Sequence, residues 1–145
     1  MISKVRYSVC MAASLSSLMA GCGGGVFTDD ISSGNALWTR AKIATYSYMV
    51  EPYGFMLPQK YAVVVYADGT STVRPLGDSP PPGENRVFKS MDSLYAHLRD
   101  VRQNGGIATV KFDAKDGHIT ECYVDPYKQM ADDEIGYVIS DFKVE

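Results

Sequence analysis

Two Asp-Gly pairs, each set between runs of β-branched and aromatic residues, constrain this chain more than any other feature. Asp68-Gly69 separates 59–66, centred on Val63-Val64-Val65, from 70–74. Asp116-Gly117 separates 108–113 from 118–124. Both central residues of a type I′ turn need positive φ, so Asp-Gly between such runs predicts a β-hairpin. Two further segments alternate with period two. In 45–50, Tyr46, Tyr48 and Val50 share one face. In 136–144, Tyr137, Ile139 and Asp141 alternate against Val138, Ser140 and Phe142. Pro52, Gly54 and Pro58 predict that the 45–50 strand gives way to a loop or an irregular edge.

The period changes between the hairpins. Met91, Leu94, Tyr95, Leu98 and Val101 recur at helical spacing behind Ser90, a favoured N-cap, and Asn104-Gly105-Gly106 stops the run near Gln103. A shorter helix is expected over 36–44, with Leu37, Ala41 and Ala44 in a stripe and Trp38 beside it. The order predicts an α+β fold: an antiparallel β-sheet of about five to six strands in two Asp-Gly hairpins, with two helices packed on one face. It also suggests a loose duplication of a helix-plus-meander unit, without any residue-level repeat. The chain's 145 residues suit one such domain, assigned to 36–145. Between the two halves, 75–89 carries Ser79-Pro80-Pro81-Pro82-Gly83, which reads as an extended connector.

The N-terminus has a different character. Lys4 and Arg6 precede an uncharged, largely apolar stretch of about a dozen residues, too short for the roughly 20 of a membrane-spanning helix. The order of charge, apolar run and small residues is that of a secretory signal. Leu18-Met19-Ala20-Gly21-Cys22 resembles the lipobox of bacterial lipoproteins. The resemblance implies a signal peptide over 1–21, cleavage between Gly21 and Cys22, and a diacylglycerol thioether on Cys22. The mature chain would then have 124 residues, and loss of Lys4 and Arg6 would take the net charge from -3 to -5. Residues 22–35, rich in Gly, Ser and Asp, read as the lipidated cysteine and a flexible tether. Cys122 would be the one free thiol left, so no intramolecular disulfide is expected.

A second resemblance covers most of 38–144. It runs through Trp38, Tyr46-Ser47-Tyr48, Val65, Asp68-Gly69 and Ser90-Met91-Asp92-Ser93-Leu94-Tyr95. It continues in Val110-Lys111-Phe112-Asp113, Gly117-His118-Ile119 and Asp133-Glu134-Ile135-Gly136-Tyr137. In these residues the chain resembles the bacterial domain family DUF6174, whose function is unknown. That family usually has Pro where Ile119 stands, and often Tyr or Phe where His118 stands. The resemblance implies no activity and no catalytic residue.

The residues themselves offer little chemistry. His118 and Cys122, four apart on one predicted strand, would share a face about 13 Å apart, too far for a nucleophile–base pair. Cys122 is expected to be buried and inert, although strand register leaves open whether it or Tyr123 faces the core. His97 flanks the helix stripe and reads as a core-edge residue. Neither histidine has the spacing of a zinc site. Asp113-x-x-Asp116-Gly117 lacks the ligand spacing and terminal Glu of a calcium loop. No catalytic residue, metal or cofactor is therefore expected. Tyr46, Tyr48, Tyr53 and Phe55 form a candidate binding face, because tyrosine offers contact area together with a hydroxyl. The negative charge and the lack of a Lys/Arg cluster disfavour nucleic acid. The expected partners are the membrane, through the N-terminal lipid, and an envelope protein or glycan. The expected role is non-catalytic binding or structure at the cell envelope. The alternative is an enzyme, an enzyme-accessory domain or an inhibitor module acting on envelope polymers or proteins.

Overall fold

The structure is a computed structural model that describes residues 30–54, 59–82, 89–130 and 133–145. The elements run α1 (Ile31–Ala41), β1 (Tyr46–Gly54), β2 (Tyr61–Val65), β3 (Ser71–Pro75), α2 (Met91–Gln103), β4 (Ile107–Phe112), β5 (Ile119–Asp125) and β6 (Ile135–Val144). The six strands form one sheet in the order β3-β2-β1-β6-β5-β4, antiparallel throughout, and both helices lie on one side of it. The α+β architecture, the two Asp-Gly hairpins and the covered face are those expected from the sequence.

Helix α2 forms where its apolar period and cap place it. Ser90 accepts from the Ser93 N–H while the Ser93 hydroxyl accepts from the Ser90 N–H, a reciprocal capping box. Met91, Leu94, Tyr95, Leu98 and Val101 are buried along its sheet-facing stripe. Helix α1 departs from expectation. It starts at Ile31, inside the segment read as tether, because Asp30 caps it by accepting from the Ser33 N–H at 3.0 Å. It ends at Ala41, with Lys42 in the left-handed conformation. Its buried face is Ile31, Gly34 and Trp38 rather than Leu37, Ala41 and Ala44. Gly34 looks like tether composition but is a packing residue. A Cβ there would lie 2.5 Å from the Tyr95 hydroxyl and 2.6 Å from the Phe112 ring.

Strand β1 also runs further than expected, through Pro52 to Gly54. Its ladder with β2 ends at Val50↔Tyr61, whereas its ladder with β6 continues to Gly54↔Ile135. Beyond Val50 one side of β1 is therefore an edge, where a proline without an N–H is tolerated. The duplication suggested by the element order does not hold. The halves keep the same order across the sheet but invert strand direction, and no rotation does that with both helices on one face.

Two bulges decide which residues reach the core. Ser47 pairs with Lys143 but Met49 with Ser140, so Tyr48 opposes both Asp141 and Phe142. Asp141 takes φ 50°, the alternation of β6 inverts, and Phe142 turns to the core face already held by Tyr137 and Ile139. In β5, Thr120 is the extra residue, since Lys111 pairs with Glu121 but Phe112 with Ile119. The inversion lets Ile119 and Cys122, three residues apart, both face the core with no exposure.

Gly117 follows the second hairpin turn at φ 79°, and a Cβ there would lie 2.5 Å from the Gly34 carbonyl oxygen and the Trp38 nitrogen. Gly69, at φ 81° in the first hairpin, has open space around it. Gly69→Ala should therefore cost about 1–2 kcal/mol, the strain of a side chain at positive φ. Gly117→Ala should cost about 3 kcal/mol or more, because the backbone of α1 must also move. Urea denaturation of the two variants checks this; equal losses would show that α1 does not sit on the turn.

Candidate functional site

The structure puts the described members of the candidate binding face, Tyr46, Tyr48 and Tyr53, on two different faces of the sheet. Tyr46 and Tyr48 are 1% and 4% exposed and belong to the layer between sheet and helices. The Tyr46 ring meets Trp38 edge-on, with centroids 5.1 Å apart, and stacks on Tyr48 at 6.1 Å. Its hydroxyl accepts the Met91 N–H at 2.9 Å, one of the donors that the start of α2 leaves unpaired. These two are corrected from binding to core residues. Tyr53 lies on the opposite, helix-free face, and Phe55 falls outside the described residues, as do Gly21 and Cys22.

On that open face Tyr53 and Tyr123 flank Gly136, the cross-strand partner of both. The Tyr53 ring lies so close over Gly136 that a Cβ there would overlap it. The Tyr53 hydroxyl reaches the Glu121 carboxylate at 3.2 Å, and the other oxygen of Glu121 takes Lys111 Nζ at 2.7 Å. Partial burial and then the Glu121 charge push the Tyr53 hydroxyl up to about 12. It stays a neutral donor at physiological pH. The arrangement is a fixed aromatic plate beside one ion pair, suited to stacking and hydrogen bonding rather than proton transfer. A shallow depression of about 330 Å³ opens beside Met49, Ala62, Val64 and Lys143. A second, of about 400 Å³, lies between Asn104-Gly105 and Tyr127–Met130.

A further cluster sits on the turn between β4 and β5. His118 Nδ1 lies 2.6 Å from Asp116 Oδ1, which also accepts the His118 N–H at 3.0 Å. Asp113 Oδ1 accepts the Lys115 N–H at 2.8 Å. The His118 ring stacks on Phe142 with centroids 4.1 Å apart and planes 6° from parallel. Asp113, Asp116 and His118 each offer one ligand atom, all within 4.8 Å of one another. Sequence reasoning weighed the two aspartates against a calcium loop and His118 against Cys122, and so never joined the three. The signal that could have joined them is the Asp-x-x-Asp-Gly-His run itself, read as a single tight turn. Among the described residues no hydroxyl or thiol hydrogen-bonds to His118.

The remaining titratable candidates divide. Cys122 faces the core, and burial followed by the nearby Glu121 charge raises its thiol to about 12. His97 is half-buried and lowered from its usual value by desolvation, as suits a core-edge residue. Among the described residues, Asp125 Oδ1 and both carboxylate oxygens of Asp133 are buried without a hydrogen-bond partner.

Taken together, fold and surface define a two-layer α+β domain with one helix-covered face and one open face. A family model described as "Family of unknown function (DUF6174)" matches residues 30–144, and the chain belongs to that family. No curated protein and no solved structure matches the chain.

A thiol that is fully buried and raised to about 12 should be inert. With Cys10 and Cys22 replaced by Ser, Cys122 should resist a thiol-specific disulfide reagent in buffer and react fully in urea. Rapid modification of the native protein would place Cys122 at the surface and contradict the β5 bulge.

Proposed function

We propose that this is a lipid-anchored protein of the bacterial cell envelope, whose domain serves as a non-catalytic binding or structural module. The observation that carries the proposal is the sequence Leu18-Met19-Ala20-Gly21-Cys22, placed directly before the domain. Helix α1 is capped at Asp30, and residues 23–29 stand in sequence between Cys22 and that cap. Even fully extended, the eight steps from Cys22 to Asp30 reach about 28 Å. The domain therefore works close to its membrane. At a mature charge of -5 it is a poor electrostatic ligand for anionic lipids, so acyl chains supply the attachment. Gly23 follows Cys22 where inner-membrane retention signals carry Asp. In a two-membrane host this favours the outer membrane.

The binding surface in this reading is the open sheet face around Tyr53, Tyr123 and Glu121, which replaces the Tyr46/Tyr48 face. An envelope protein or a glycan suits it, since tyrosine rings stack on sugar or peptide planes while their hydroxyls donate.

Cys22→Ala should abolish lipid labelling and release the protein from the membrane fraction. A Cys22→Ala chain that still sediments with membranes would overturn the anchor. Crosslinking in intact cells followed by capture should lose its product in Tyr53→Ala and keep it in Tyr127→Ala, a control at an exposed tyrosine away from that face. Equal capture by both variants would remove the open face from the proposal.

A further inference from the structure

We propose that Asp113, Asp116 and His118 bind one divalent transition-metal ion, with zinc(II) as the type. Two carboxylates and an imidazole converge on the β4–β5 turn with their ligand atoms within 4.8 Å of one another. The set is only partly exposed, with 15% of the His118 side chain and 18% of the Asp116 side chain accessible. Among the described residues neither aspartate has a lysine or arginine partner. Asp113 Oδ1 accepts the Lys115 N–H and Asp116 Oδ1 accepts the His118 N–H, and neither of these bonds uses the second oxygen. A dication seated among the three offsets the charge of the two carboxylates, in place of the contact between Asp116 and the His118 ring. Neutral imidazole with two carboxylates balances the charge of a divalent ion.

The donor set selects the metal class. Calcium takes six to eight oxygens and has little use for imidazole. Nitrogen together with carboxylate oxygen suits zinc and its first-row neighbours. Three protein ligands leave at least one position for water, as in open zinc sites.

The ligands are also held in place before any ion arrives. Tyr95 donates its hydroxyl to the Gly117 carbonyl at 2.6 Å, from inside the core. Gly117 is wedged against the backbone of α1. Asp113 closes the turn by donating its N–H to the His118 carbonyl at 2.9 Å and accepting the Gly117 N–H at 2.8 Å. Stacking on Phe142 fixes the plane of the His118 ring. Phe142 stands there because the β6 bulge at Asp141 turns it to that face. Immobilised ligands lose little entropy on binding, which favours affinity.

The test uses the untagged full chain in detergent, stripped with EDTA and dialysed, then titrated with zinc, manganese or calcium chloride alone. Zinc should bind at one ion per chain and raise the melting temperature, and calcium should do neither. His118→Phe keeps a ring against Phe142 but removes the nitrogen; Asp113→Asn keeps an acceptor for the Lys115 N–H. Each should weaken zinc at least ten-fold while its melting temperature in EDTA stays near that of the unaltered chain. Cobalt(II) in place of zinc should give a visible d–d band that His118→Phe loses, a readout of nitrogen ligation independent of stability. No zinc binding by the unaltered chain, unchanged zinc affinity in both variants, or preference for calcium would each overturn the proposal.

Discussion

The ladder between β1 and β6 is the constraint on which the rest depends. Each half of the chain is a three-stranded meander, and β1–β6 is the single strand pairing that joins them. It is also the longest ladder in the sheet, from Tyr46↔Val144 to Gly54↔Ile135. A perfect ladder of that length would send Phe142 to the open face, because side chains alternate with period two. The extra residue opposite Tyr48 prevents this. Asp tolerates positive φ better than most residues, so Asp141 can absorb the bulge at modest strain. Phe142 then fills the space beside Trp38, with ring centroids 6.1 Å apart, and becomes the plate beneath His118. One irregularity in the central ladder thus reaches both the aromatic core and the turn cluster.

Hydroxyl groups of buried tyrosines do much of the remaining positioning. Tyr46 reaches across the layer to the first N–H of α2, and Tyr95 reaches back from α2 to the turn at Gly117. Trp38 adds a bond from its indole N–H to Asp92 at 3.2 Å, tying α1 to α2. A leucine at Tyr46 or Tyr95 would leave a backbone donor or acceptor without its partner. Such an unsatisfied group costs about 1–3 kcal/mol. Burial raises the Tyr46 hydroxyl to about 12, so it does not ionise where the protein works. The concentration of tyrosine in β1 and β2 therefore serves directional bonding inside the core more than recognition outside it.

That distinction explains what could be read from the sequence. Helix α2 was legible because its apolar period, its Ser90 cap and its glycine stop agree. The hairpins were legible because Asp-Gly has few other uses between β-rich runs. Helix α1 was misplaced because Ser32, Ser33 and Gly34 have tether composition. Only the tertiary contact of Gly34 with Tyr95 and Phe112 shows why a glycine belongs in that helix. The facing of residues beyond each bulge was illegible, since one inserted residue leaves no compositional trace. Cys122 is buried and unpaired with His118, as expected, but the extra residue Thr120 between them could not be read from the sequence; the imidazole pairs with Asp116 instead. The turn cluster was hidden because its members, Asp113, Asp116 and His118, fell in one predicted strand, the turn and the next strand, which were read separately.

The open face shows how a sheet surface without a helix over it is kept in one arrangement. Gly136 sits mid-sheet between two tyrosine-bearing strands, where a glycine weakens a strand by leaving nothing to pack. The Tyr53 ring covers that gap, and its hydroxyl is anchored at Glu121. Lys111 holds Glu121 from the far side of the same carboxylate. Glycine, ring, carboxylate and ammonium therefore determine one another. Any side chain at 136 would push the Tyr53 ring away, and once displaced the ring no longer brings its hydroxyl to Glu121. The face is thus built from what Gly136 lacks as much as from what its neighbours contribute. On the proposed reading a partner would meet a preformed plate, with little side-chain freedom left to lose on binding.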